Sequence, residues 1–286
     1  MPSFQPLAVA ALCQLAVATA SFAACPDDPE VAAYLADYQH TRLTRGMPSV
    51  ATLADGLCAQ KKLVLRLSGE LGPVAGYKAG FTNEAVQKAF GISHPIRGVL
   101  LRDMLLADGA ALPATFGARP LWEADLMVRI GRAGLHRAAT PLEALEYIDA
   151  VVPFMELPDT MFDPQVKMTA SGLVAINVGA RLGALGRPIT VERSQAFVDL
   201  LAAMTVVIEE NGVELGRAPG SVMMGNPLNS AIWLAQDLAK AGVILKPGDL
   251  LSLGSFLPLQ QPKPGTTVAV RYLGLPADPV VSVTFR

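Results

Sequence analysis

The sequence predicts an α+β fold: a rolled or sandwiched sheet with a small helical region in front of it. Three observations support this. Helical periodicity dominates up to about residue 71, and short apolar runs broken by Gly, Pro and Asn dominate after it. Many strands follow that point with few crossover helices, as a rolled or sandwiched sheet requires. Gly (25) and Pro (22) are plentiful, as many turns between strands require. The 286 residues suit one larger unit with an ample core. We divide them into a signal segment (1–23), an N-terminal helical region (24–71) and a β-rich body (72–286), the helical region not being a clearly separable domain.

Residues 1–23 contain no Asp, Glu, Lys or Arg, and Leu7 to Ala20 is mostly apolar before Ser21-Phe22-Ala23. That pattern reads as a secretory signal peptide, although it lacks the usual basic n-region. The run is short for a bilayer span. A membrane anchor, a buried helix, or lipidation at Cys25 through Phe22-Ala23-Ala24-Cys25 stay open as alternatives. Removal of the signal takes Cys13 with it and leaves Cys25 and Cys58. In an oxidising compartment such as the periplasm these two form a candidate disulfide, the alternative being two unrelated thiols. A net charge of -2 with no Lys/Arg cluster offers no footprint for nucleic acid or anionic lipid. Once the signal is removed, no membrane attachment is expected.

Val31, Tyr34, Leu35 and Tyr38 recur at helical spacing over 29–45, with Gly46 as the stop. A second helix is predicted over 50–67. A strand over 74–82 holds Lys78 between glycines. It is either an outward lysine on an edge strand or a group beside a close-approaching backbone or ligand. A short helix over 84–90, capped by Thr82 or Asn83, leads into a loop-rich stretch to 111 that contains His94. A strand follows over 119–130, then a short helix over 142–148 begun by Thr140-Pro141. A second strand ends at Glu156. A loop over 159–171 precedes a buried strand over 173–182. Asn211-Gly212 marks a hairpin between 204–209 and 213–217. A helix over 226–239 and strands over 250–253, 267–273 and 280–285 complete the order.

The chemistry centres on 119–130. As a strand, it turns Trp122, Ala124, Leu126, Val128 and Ile130 to one face and Glu123, Asp125, Met127 and Arg129 to the other. Two carboxylates roughly 7 Å apart along one strand face can converge on one hard cation, which takes oxygens from more than one side chain. Glu156 lies in the apolar run 151–158, where a lone carboxylate needs a partner or a metal. The alternative for Glu123 and Asp125 is a solvated strand face with Arg129 as ion-pair neighbour.

Several of these residues occur together in a known order. Gly76-Tyr77-Lys78-Ala79-Gly80-Phe81-Thr82, Gly98-Val99-Leu100-Leu101, Glu123-Ala124-Asp125, Glu156, Pro227-Leu228-Asn229 with Trp233-Leu234-Ala235, and Gly248-Asp249 with Gly254-Ser255 span nearly the whole chain after the signal. As an ordered set they resemble the 2-keto-4-pentenoate hydratase branch of the fumarylacetoacetate hydrolase superfamily. The resemblance implies a mixed β-roll whose body, 72–286, is catalytic, and one Mg2+ or Mn2+ held by Glu123, Asp125 and Glu156. It implies Lys78 beside the metal as the catalytic and substrate-binding lysine, and Ser171 and Ser255 near the substrate. It implies a small 2-oxo acid as substrate, a hydro-lyase reaction through enolisation and conjugate addition of water, and a homo-oligomer. C–C hydrolysis or decarboxylation on the same scaffold, or an exported protein that only binds a small acid, are the alternatives. Two departures stand out. Asp125 replaces a Glu of the pattern, and Lys167 falls where the pattern carries an Asp-Asn pair. Hydrolysis would need a His-Glu pair, for which only His94 is suitably placed, with no glutamate beside it in sequence.

Overall fold

The computed structural model describes residues 1 and 25–286, so residues 2–23 of the predicted signal segment lie outside the described residues. The helices are α1 (Asp28–Gln39), α2 (Leu53–Leu71), α3 (Glu84–Ala89), α4 (Pro141–Ala144), α5 (Ala170–Ala175), α6 (Gln195–Ala203) and α7 (Pro227–Lys240). The strands before residue 160 are β1 (Val74–Gly80), β2 (Ile96–Leu101), β3 (Leu105–Ala107), β4 (Ala110–Leu112), β5 (Glu123–Ile130) and β6 (Ile148–Leu157). Those after it are β7 (Leu182–Leu185), β8 (Ile189–Thr190), β9 (Thr205–Glu210), β10 (Val213–Pro219), β11 (Leu250–Ser252), β12 (Thr267–Leu273) and β13 (Val280–Phe285). One curled sheet runs β2-β1-β11-β5-β6-β7-β3 with β8 beside β6, and the other runs β10-β9-β12-β13-β4.

Local chemistry explains most boundaries. Thr52 and Asp55 form a reciprocal capping box that starts α2, three residues later than the sequence reading placed it. The helix also runs past Ser68-Gly69 to Leu71, because Ser68 satisfies its hydroxyl on Leu65 O (2.8 Å) without leaving the helix. α1 stops at Gln39, short of the predicted Arg45, because the chain turns at Thr41 (φ 49) to bring Thr44 into a bridge with Phe162. The helix predicted over 142–148 is only α4, after which the chain enters β6 at Ile148. Asn211 (φ 51) and Gly212 (φ 78) both adopt the left-handed conformation that a two-residue turn between β9 and β10 requires.

Three segments differ in kind. The stretch 91–111 holds β2, β3 and β4 and is not loop-rich. The run 173–182 is mainly α5 and a 3-10 turn (Asn177–Gly179), the strand beginning only at Leu182. Thr169 caps α5 by accepting from Gly172 N (3.0 Å), a signal the apolar run masked. α6 is an additional helix, capped by Ser194.

Alternation on β5 and β6 builds two cores. Trp122, Ala124, Leu126, Val128 and Ile130 face the core shared with α7 and the five-stranded sheet. Met127, Val152 and Phe154 face the other, which Val31, Tyr34, Ala59, Leu63 and Leu67 of α1 and α2 close. The helical region therefore covers one face of the large sheet. Cys25, just before α1, is joined by a disulfide to Cys58 on α2, 33 residues on, with Cα atoms 5.4 Å apart. Loop-closure entropy for that span predicts that Cys58→Ser lowers unfolding free energy by about 3–4 kcal/mol. Urea unfolding with and without reductant checks it, and a loss under 1 kcal/mol in both would refute it.

Candidate functional site

The face of β5 and β6 that carries Met127 and Phe154 also carries the acids. Glu123 and Glu156 are direct cross-strand partners, which puts their Cβ atoms about 5 Å apart. Asp125 follows Glu123 by one pleat. β1 joins this face through β11, and Lys78 pairs with Ser252 on β11 and with Gly98 on β2. β1 is thus an interior strand, so the edge-strand reading of Lys78 fails. Gly76 is what lets β11 come so near: a Cβ there would lie 2.1 Å from Leu250 O. The four side chains are withdrawn from solvent, with relative exposures of 3% for Lys78, 8% for Glu123, 0% for Asp125 and 1% for Glu156. A solvated strand face is excluded as well, and Arg129 pairs instead with Asp149 at 2.7 Å.

The Lys78 ammonium forms a buried ion pair with Glu156 Oε1 and donates to Val178 O at 3.0 Å. Glu156 Oε2 has no hydrogen-bond partner among the described residues. Burial, then the charge of Glu156, holds the Glu123 carboxyl well above the usual carboxylate range. Lys78 and a hydrogen bond with Ser255 oppose that rise. Burial and Glu156 likewise push Asp125 up to about 8, against the hydroxyl of Ser252 and the amide of Leu126, which favour its charged form. Both shifts express the same fact: three acids share one buried space with a single cation.

They do not share it equally. Both oxygens of Asp125 are engaged by the protein, Oδ1 with the amides of Leu126 (2.5 Å), Gly254 (2.9 Å) and Leu253 (3.1 Å), and Oδ2 with the Ser252 hydroxyl. Among the described residues, no three His, Cys, Asp or Glu side chains form a cage that could hold a metal ion. Of the three implied ligands, Glu123 and Glu156 face each other across the strands, while Asp125 is engaged at the end of β11. Being one methylene shorter than Glu, Asp125 delivers its carboxylate to the end of β11. The two glutamates do fit a hard divalent ion: their donors are all oxygen, and one of them is buried with nothing to accept.

Of the other sequence-predicted residues, Ser255 is half-buried, donates to Leu257 O (2.6 Å) and is hydrogen-bonded with Glu123, which places it at the site. Ser171 is buried at the start of α5 with Oγ 3.1 Å from Thr169 Oγ1. Lys167 is exposed, so it does not crowd the acids. His94 lines a cavity of about 550 Å³ with Asn83, Glu84, Gln87, Met224 and Trp233. Glu84 is a glutamate on the wall of the same cavity.

Sequence reasoning missed three supporting residues. Ser252 is fully buried and holds Asp125. Tyr272, from the five-stranded sheet, binds the backbone of both strands that carry the acids, through Asp125 O and Phe154 O. Asn177 (φ 59) takes Val99 N at 2.7 Å and gives to Val99 O at 2.8 Å. This leaves Val178 at φ 54, ψ 35, a genuine outlier for a β-branched residue and a strain of about 1–3 kcal/mol. The strained residue supplies the carbonyl that meets Lys78. Only the position of Asn before Val-Gly hinted at such a turn. Asn177→Ala is expected to lower stability by about 2–4 kcal/mol, from two buried hydrogen bonds and the left-handed backbone. Denaturant unfolding measures it, and a loss below 1 kcal/mol would contradict the clamp.

No family model matches the chain. It is 32% identical over 230 residues, 79% of this chain and 83% of the relative, to 2-keto-4-pentenoate hydratase of Burkholderia vietnamiensis (strain G4 / LMG 22486). It is 31% identical over 231 residues, 77% of this chain and 83% of the relative, to 2-oxo-hept-4-ene-1,7-dioate hydratase of Escherichia coli. In fold it matches 4-oxalocrotonate decarboxylase from Pseudomonas putida G7, complexed with magnesium and adipate, with a TM-score of 0.78 and 24% identity, covering 91% of this chain and 98% of that one. The likeness to the decarboxylase speaks for the fold. The likeness to the hydratases, at this identity and over this length, means that the chain belongs to the 2-keto-4-pentenoate hydratase family.

Proposed function

We propose that the protein is a divalent-metal-dependent hydro-lyase that adds water to a small 2-oxo-alkenoic acid. One observation carries the reading: Lys78, Glu123 and Glu156 meet in a single buried space, with a carboxylate oxygen left without a partner. The names of the curated hydratases and the magnesium in the decarboxylase structure support it.

Glu123 and Glu156 would hold Mg2+ or Mn2+. When bound, that ion supplies Lewis-acid polarisation of a keto oxygen. The protein's own residues do the rest. Lys78 moves a proton at a carbon conjugated to the ketone, its amine positioned by Glu156 and Val178 O. The dienol thereby becomes a conjugated ketone, and water adds at the far carbon of the remaining double bond while the carbon next to the ketone takes a proton. Ser255 is placed to hold the substrate carboxylate. The surrounding apolar walls keep bulk water from the charges, which strengthens each interaction.

The test combines metal content with deuterium exchange at C3 of pyruvate. Metal-dependent exchange that disappears in Glu123→Ala supports the enzyme. Binding of the acid with neither metal nor exchange favours a small-acid-binding protein. Loss of dienoate absorbance without CO2 identifies hydration, and CO2 release would move the assignment to decarboxylation. A second reading, C–C hydrolysis, draws on His94 and Glu84 lining one cavity with Thr82, whose hydroxyl packs where a Cβ on Gly254 would fall. Two carboxylic acid products from a 2,4-dioxo acid, absent in His94→Ala, would establish it.

We further propose that the chain is exported and forms a homo-oligomer. The disulfide, a bond that persists in oxidising compartments, supports export. Assembly rests on the resemblance, and light scattering tests it.

A further inference from the structure

We propose that Asp125 does not ligate the bound ion; it anchors the segment Ser252–Ser255 at the rim of the site. The inference rests on the metal-dependent reading above and names the ligand set that reading uses. Asp125 meets protein donors on both oxygens: the amides of Leu126, Leu253 and Gly254 crowd Oδ1, and the hydroxyl of Ser252 holds Oδ2. Glu156 Oε2, on the same face, meets none among the described residues.

The anchored segment matters. Leu253 N also donates to Leu126 O (3.0 Å), so strand β5 holds this stretch through both backbone and side chain. Gly254 sits at φ 108, and a Cβ there would lie 2.4 Å from Thr82 Oγ1, so the backbone is pressed between Asp125 and Thr82. Ser255, the next residue, reaches Glu123. Asp125 therefore acts on the substrate through Ser255 and is a positioning residue. A seat of two carboxylates leaves the rest of the coordination to water and the substrate. That suits Mg2+, which is commonly bound through one or two carboxylates together with its substrate. Ion and 2-oxo acid should then bind synergistically.

The test is a crystal structure of the Mn2+- and oxalate-loaded protein, with Mn2+ and oxalate titrations of the variants. The expected structure has oxygens of Glu123 and Glu156 on the ion and both Asp125 oxygens on Ser252 and the Leu253–Gly254 amides. In titration, Asp125→Asn keeps its Mn2+ Kd within about tenfold of wild type while its Kd for oxalate rises at least fivefold. Glu156→Gln weakens Mn2+ by more than about a hundredfold, and Asp125→Glu does not tighten it. An Asp125 oxygen within about 2.6 Å of the ion, or tenfold tighter Mn2+ binding by Asp125→Glu, overturns the proposal. If the wild-type chain binds no divalent ion, the metal-dependent reading falls instead. The anchor is then judged by hydrogen exchange in Asp125→Ala: accelerated Leu253 and Gly254 amides support it, and unchanged rates overturn it.

Discussion

Lys78→Met should lower kcat/KM, and the rate of C3 exchange with it, by about 10²–10⁴, the range that a positioned acid–base group contributes. The same substitution has a second consequence. The Lys78 ammonium is the partner of a glutamate that is 1% exposed. Removing it leaves a buried charge uncompensated, which costs about 3–5 kcal/mol. The metal-free variant is therefore expected to melt well below wild type, and a saturating divalent ion to restore part of the difference. Lys78→Arg should not recover activity, since a guanidinium does not give up its proton in proteins. Thermal melts with EDTA or Mn2+, read beside exchange rates, separate the two effects. Exchange within tenfold of wild type in Lys78→Met would remove the lysine from the mechanism.

Glu123→Gln should do the opposite to stability while still abolishing function. Burial and Glu156 raise the Glu123 pKa in the folded chain. Between its unfolded value and that raised value, the folded state binds more protons than the unfolded state. Stability therefore falls as pH rises through this window. The amide has no such term. In EDTA, the variant and wild type should melt together near pH 4, and the variant should melt progressively higher as pH rises toward 8. With Mn2+ present the order reverses, because only wild type keeps the ligand, and C3 exchange in the variant should fall at least a hundredfold. A variant no more stable than wild type at pH 8 in EDTA would mean that neither burial nor Glu156 raises the Glu123 pKa in the folded chain. A gain of stability at the expense of activity is the usual mark of a site held in an unfavourable arrangement.

How much of this could be read in advance depended on the range of each interaction. The acidic strand was legible because alternation is a property of neighbours, and it put Glu123 and Asp125 on one face correctly. The hairpin at Asn211-Gly212 was legible because its two backbone angles follow from its two residues. The run at 173–182 was not, because a short apolar stretch fits a buried strand and a buried helix equally well. The cap on Thr169 settled it as α5. The strained Val178 carbonyl was invisible because Asn177 is held there by Val99, 78 residues earlier. His94 lacked a glutamate in sequence, yet Glu84 lines the same cavity.

The sequence by itself determined which residues are acids, which strand faces carry them, and the family to which their order points. Only the tertiary structure decided what each acid touches. Glu156 is met by a lysine 78 residues before it, and Asp125 by a serine 127 residues after it. The physical reason is reach. A pleat fixes the side of the sheet a carboxylate leaves from, but the groups that satisfy its oxygens belong to strands brought alongside by the fold. Asp125 thus meets the end of β11, while Glu123 and Glu156 face each other across two buried strands.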